Sequence, residues 1–150
     1  MKIYFDHEKL DVYQHSLRFC SFVGDLIDKI TARAAAKDQL DRASTSIPLN
    51  IAEGNGKFSN ADRARFLEIA RGSSVECAAC LDVLAVRQLI SEDQAVTGKE
   101  QLVPIVNMLM GLLKSFSDRA DILREDAGNY GVEQDQEHEH ENEHDGPSAP

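Results

Sequence analysis

The chain has 150 residues, 42% of them hydrophobic and 28% charged, which is enough apolar material for one domain of ordinary size. Its 16 Lys and Arg against 26 Asp and Glu give a formal charge of −10, which speaks against a strongly basic nucleic-acid binder and against a protein drawn to anionic membranes. Residues 133–150 hold seven of those acids and no Lys or Arg, leaving 19 acids against 16 bases over 1–132, so a local basic patch stays open there.

No apolar run approaches the roughly 18–20 residues that span a bilayer, and the opening Met1 to Glu8 lacks the long apolar segment of a signal peptide. Three cysteines, Cys20, Cys77 and Cys80, are too few and odd in number for a disulfide framework. The expected compartment is the reducing cytoplasm.

Apolar residues recur at steps of three and four from Leu10 through Tyr13, Leu17, Cys20, Val23, Ile27 and Ile30, predicting a first helix over about Lys9–Ala35, roughly 40 Å long. A second is expected from an Asp38 cap to Glu53, with Leu40, Ala43, Ile47 and Ile51 inward. Pro48 inside it removes one backbone donor and crowds the Ser44 carbonyl, predicting a kink rather than a stop. Gly54-Asn55-Gly56 is expected to close the helix through a left-handed glycine.

Ser59 then caps a third helix to about Leu89, with Phe66, Ile69, Ala70, Ser73, Cys77, Cys80 and Leu84 as its buried face. Ser91-Glu92-Asp93-Gln94 is a capping box for a fourth, weak through Thr97-Gly98 up to Pro104. Beyond that it is strong along Leu102, Ile105, Val106, Leu109, Leu112, Leu113, Phe116, Ala120 and Leu123. Short connections favour an all-α, antiparallel up-down-up-down four-helix bundle over 1–132. Residues 133–150, rich in alternating Glu and His, read as a disordered tail.

The candidate chemistry is sparse. Cys77 and Cys80 have a C-x-x-C spacing, but no second pair completes a zinc site, and the pair sits mid-helix among Ala and Leu rather than at a helix start; small core residues are the favoured reading over redox or metal work. His138, His140 and His144 in the tail could hold a cation weakly, against the plainer reading of a solvated tail. No nucleophile–base set and no phosphate-cradling loop can be assembled, so no catalytic residue, cofactor, metal or small-molecule substrate is expected.

Lys57, Arg63, Arg65 and Arg71 lie among Phe58 and Phe66. Arg65, Glu68 and Arg71 at three-residue steps read as a solvated charge ladder; the alternative is a phosphate-contacting patch, most credible at Lys57 and Arg63. On the second helix Arg42, Ser46, Asn50 and Glu53 share one ridge, as a polar network or subunit seam, or as a ligand or nucleic-acid site.

At this ridge the sequence resembles a known family. Asp38 to Gly54, with Ser46–Gly54 reading S-I-P-L-N-I-A-E-G, then Arg65 to Ser73 and Glu76, together with Val12-Tyr13-Gln14 upstream, are similar to the 23S ribosomal RNA intervening-sequence proteins over roughly residues 9–120. The resemblance implies an antiparallel four-helix bundle, assembly as a homopentamer, and no known catalytic activity. It also implies kinship with the accessory protein of diversity-generating retroelements, which binds reverse transcriptase and RNA. Two features depart from that pattern: the body here is slightly acidic, and the Glu/His tail is long.

The expected function is therefore a non-enzymatic, homo-oligomeric scaffold or adaptor whose main partner is itself. The alternative is an RNA- or DNA-binding accessory protein, acting with a nucleic-acid enzyme through Lys57, Arg63, Arg65 and Arg71. The motif further suggests that Glu53 accepts backbone donors at the start of the third helix, and that Arg42 pairs with Glu76 across the helices.

Overall fold

The computed structural model describes the backbone of residues 1–128 and the side chains of residues 1–116. The chain divides into two compact units, Met1–Ser117 and Asp118–Pro150. The expected boundary at 132, the reading of 133–150 as a disordered tail, and the side chains of Ala120 and Leu123 lie outside the described residues.

A short 3₁₀ turn, Asp6–Lys9, leads into α1 (Asp11–Asp28), followed by α2 (Ala35–Asn55), α3 (Asn60–Val86) and α4 (Glu92–Gly128). The turn is pinned by Glu8, whose carboxylate accepts from the Tyr4 and Phe5 amides at 2.6 and 2.7 Å. Those two donors hold the Glu8 carboxyl below its ordinary range. In the first unit all four helices contribute to one core, which includes Phe19, Val23, Leu40, Ile47, Ile51, Leu81, Leu84, Ile105 and Leu109.

Neighbouring helices run in opposite directions. Asp82 near the end of α3 meets Lys99 near the start of α4 at 2.6 Å, while Arg63 near the start of α3 lies over the Phe116 ring of α4. Gly54 at the end of α2 likewise meets Phe66 at the start of α3. The architecture is the all-α four-helix bundle that the apolar periodicity predicts.

The boundary between α1 and α2 differs from expectation. α1 stops at Asp28, and Ala35 and Ala36 belong to α2, which starts three residues before Asp38 and has no side-chain cap at Ala34. Alanine is the best helix former, so this short run extends whichever helix it can join. Lys37 bridges the break by donating to the Ile30 carbonyl at 2.6 Å, an acceptor left open where α1 ends. Asp38 falls in the first turn of α2, where an acid faces the positive end of the helix dipole.

Helix α2 runs through Pro48 without interruption. Proline has no N–H to give to the carbonyl four residues back, that of Ser44. The Cys20 thiol of α1 donates to that carbonyl instead, at 3.2 Å. The left-handed glycine expected at the end of α2 is not there: no described glycine has positive φ, and Gly56 closes the helix in a right-handed conformation. Gly54 serves proximity. A Cβ there would lie 2.9 Å from Phe66 Cβ and 3.3 Å from the Arg63 carbonyl oxygen, so only glycine lets α2 and α3 come this close.

Ser59 caps α3 as expected, accepting from the Asp62 amide at 3.1 Å. Its far end closes through Gln88 at φ 61°, with the Gln88 and Leu89 amides donating to the Ala85 and Leu84 carbonyls at 2.9 Å each. This is the Schellman pattern, built without glycine. The buried face of α3 holds Ala70, Ser73, Cys77, Cys80 and Leu84 as expected and adds Leu67 and Leu81, while Phe66 is half-buried and Ile69 is exposed.

The capping box of α4 forms, with the Gln94 amide donating to Ser91 Oγ at 3.1 Å and the Ser91 amide to Gln94 Oε1 at 2.8 Å. The stretch expected to be weak continues as helix through Gly98 and Pro104. Gly98 is buried where α4 meets its neighbours, and its missing side chain is what admits Leu81 of α3 and Phe22 of α1.

Candidate functional site

Between α2 and α3 lies a closed polar network. Ser46 Oγ and Ser73 Oγ share a hydrogen bond of 2.9 Å, and Asn50 Nδ2 donates to the Ser46 carbonyl at 2.8 Å and to its hydroxyl at 2.9 Å. Toward the start of α2, Gln39 Nε2 donates to Glu76 Oε1 at 2.5 Å, while Arg42 Nη2 donates to Gln39 Oε1 at 2.8 Å. Arg42 therefore does not reach Glu76 directly; Gln39 stands between them and serves both. Glu53 is exposed and makes no side-chain hydrogen bond among the described residues; Ser59 caps α3 instead. Among the described residues no buried side-chain nitrogen or oxygen lacks a partner, so the interior holds no unmatched polar group aimed at a ligand.

The four cations of the α2–α3 turn and early α3 are not equivalent. Lys57 Nζ and Arg65 both lie over the Phe66 ring, 4.8 and 5.0 Å from its centroid. Arg63 donates from Nε to the Lys57 carbonyl at 2.7 Å and lies 5.8 Å from the Phe116 centroid, so it braces the turn against α4. Arg71 is held by Glu68 through its Nε at 2.9 Å and through Nη2. The expected ladder is thus only half formed: Arg65 leans toward Phe66 and toward Asp62, 4.0 Å away, rather than to Glu68. Phe58 at the turn is fully exposed, at 103% of its reference area. An aromatic beside cations was legible in the sequence; that this ring would be bare was not.

Cys77 and Cys80 are buried and Cys20 is half-buried. Burial pushes all three thiols up, with Cys77 shifted the most and further raised by Cys80, Cys20 and Glu76. A thiol that stays protonated near neutral pH is a poor nucleophile and a poor metal ligand, which favours the reading of these residues as small core side chains. Among the described residues no three His, Cys, Asp or Glu side chains are grouped to hold a metal ion.

Open grooves separate the helices. One of about 470 Å³ lies between α1 and α4, lined by His15, Arg18, Thr97, Glu100, Gln101 and Pro104. Another of about 380 Å³ lies between the end of α3 and the start of α4, with Val86 and Val96 in its wall and Asp82 bridged to Lys99.

The outer surface of α3 exposes apolar side chains. Val75, Val83 and Val86 are 53%, 42% and 84% exposed, with Ala79 at the step between the first two and Gly72 one step before them. From Ser73 to Val86 the charged residues are Glu76 and Asp82, with no Lys or Arg. The helix is apolar on its inner side as well, through Leu67, Cys77, Leu81 and Leu84. No helix among the described residues is long and apolar enough to cross a membrane.

A family profile described as 23S rRNA-intervening sequence protein matches residues 8–111. Among solved structures, a protein of unknown function from the S23 ribosomal protein family of Bacteroides thetaiotaomicron superposes with a TM-score of 0.66 at 25% sequence identity, covering 69% of this chain and 98% of that one. No curated protein matches the chain.

Proposed function

We propose, on the premise that this chain belongs to the 23S rRNA-intervening sequence protein family, that it is a non-enzymatic, homo-oligomeric helical scaffold or adaptor acting in the cytoplasm. Five copies is the expected number, from the family resemblance. The observation that carries this reading is the outer face of α3. A helix that is apolar on two sides is normally covered on two sides. Inside the bundle it is covered by α2 and its neighbours; outside it leaves Val75, Val83 and Val86 in water. The raised thiols and the fully matched interior support a role that needs no reactive group. Mass measurement of the full chain in solution tests it. A single species at a whole multiple of 16.6 kDa is expected, and a monomer at every concentration overturns the reading.

A second reading, an RNA- or DNA-binding accessory role beside a nucleic-acid enzyme, is favoured by one observation. The bare Phe58 ring follows Lys57 at the turn that opens α3, the helix carrying Arg65, and an exposed ring beside a cation is the combination that stacks a base and meets its phosphate. Arg63 and Arg71 contribute less, being engaged with the Lys57 carbonyl and with Glu68. Labelled single-stranded RNA should bind at low salt, weaken steeply as salt rises, and lose binding in Phe58→Ala. No binding at low salt removes this reading and leaves the scaffold.

A further inference from the structure

We infer that the outer ridge of α3 on one copy seats in the groove between α1 and α4 of the next copy, with Glu76 meeting Arg18. This rests on the homo-oligomeric reading above and names the two surfaces that would carry it.

The ridge presents Val75, Ala79 and Val83, with Glu76 beside them. The groove is the 470 Å³ channel whose α1 wall is His15 and Arg18. Arg18 contacts His15 Nδ1 at 3.1 Å and has no carboxylate partner among the described residues. Glu76 accepts from Gln39 through Oε1, which leaves its other oxygen for a second donor. Arg18 in the groove and the open oxygen of Glu76 on the ridge can thus complement one another, beside the groove's own acid, Glu100.

Height along the bundle agrees. A Cβ at Gly98 would meet the side-chain tips of both Leu81 and Phe22, which puts positions 81 on α3 and 22 on α1 at similar height, to within about a turn. These two helices run in the same direction, so Arg18, four residues before Phe22, lies within about a turn of Glu76, five residues before Leu81. A rotation about an axis along the bundle keeps heights unchanged, so Glu76 of one copy arrives beside Arg18 of its neighbour.

Pairing the ridge with itself fits less well. A two-fold axis at Ala79 would set Glu76 of one copy against Asp82 of the other, acid against acid. Ridge into groove joins two different surfaces, and such contacts repeat around an axis and close into a ring when the rotation permits.

The full chain tests this by charge exchange, followed by sedimentation and by circular dichroism to confirm that the helices are intact; both side chains are exposed, so folding should hold. Glu76→Arg and Arg18→Glu are each expected to weaken assembly at least tenfold, and the double exchange to restore it. Val83→Asp should weaken it with no rescue from either. If the wild type assembles and all three single variants assemble equally well, this seam is wrong while the scaffold reading stands. Single variants that dissociate without rescue by the double exchange overturn the Glu76–Arg18 contact. A wild type that never assembles overturns both.

Discussion

Cys20 and Pro48 are coupled through the carbonyl of Ser44: the proline supplies no N–H to it, and the thiol of the neighbouring helix donates to it at 3.2 Å. A helix with an internal proline normally leaves one acceptor open. Here the bundle fills the vacancy from outside the helix, which lets α2 carry a buried Pro48 in mid-course. Cys20→Ala should cost about 1 kcal/mol in urea unfolding, the usual worth of one such bond. In a Pro48→Ala background, where an amide is available to Ser44, the same change should cost clearly less. Equal costs in both backgrounds would break the link.

Gly98→Ala should destabilise the bundle. Its Cβ would lie 2.6 Å from Leu81 Cδ1 and 2.9 Å from Phe22 Cε1, and Leu81 is fully enclosed and cannot swing away. Overpacking of this kind costs about 1–3 kcal/mol, against a helix-propensity gain of roughly 1 kcal/mol. Gly24→Ala meets nothing within 4 Å and should show the gain alone, as a higher melting temperature.

Gly54→Ala should be at least as damaging, by about 2 kcal/mol, because the atoms in its way are not flexible tips. One is the Phe66 Cβ at 2.9 Å and the other the Arg63 carbonyl oxygen at 3.3 Å, so α2 and α3 themselves must separate. Thermal unfolding of the full chain reads this directly.

Gln88→Gly should stabilise. Gln88 sits at φ 61° in the α3 terminus, where an L side chain costs about 1–2 kcal/mol and glycine's extra unfolded-state freedom returns roughly 0.5–1 kcal/mol of the gain. A net rise of about 0.5–1 kcal/mol is expected from denaturant midpoints, and a fall would show that the Gln88 side chain itself matters.

Alkaline pH should weaken the fold through Cys77. Its thiol titrates near 9.0 when unfolded and is pushed above that by burial in the bundle, so the folded state holds the proton longer. The native advantage is whole below about pH 8 and is lost as pH rises past the unfolded value. Denaturant midpoints should fall from about pH 9 upward, and the fall should be shallower in Cys77→Ala. Parallel curves for the two proteins would count against it.

The helices were readable because their signals are local: Ser59 and Ser91 cap as their sequences demand, and the 3–4 spacing of α1 and α4 needs no knowledge of neighbours. The α1–α2 boundary was not, since an alanine run suits either helix and only the buried Ile30 and the reach of Lys37 decide between them. The face of α3 misled for a related reason. Ile69 and Leu67 both fit a helical period, and what lies opposite selects Leu67. The polar ridge of α2 was visible as a pattern, but Gln39, which stands between Arg42 and Glu76, gave no signal because its role depends on reach across two helices.

The bare Phe58 ring takes on a different weight once copies are joined. A single exposed aromatic beside Lys57 in the chain grips a chain-like ligand feebly. Repeated at fixed spacing around an assembly, the same grip is offered several times to one polymer, and each contact after the first is made at an effective concentration on the order of millimolar. Avidity would then follow from copy number, and a variant that only splits the assembly would lose a long ligand while leaving the affinity for a short one unchanged.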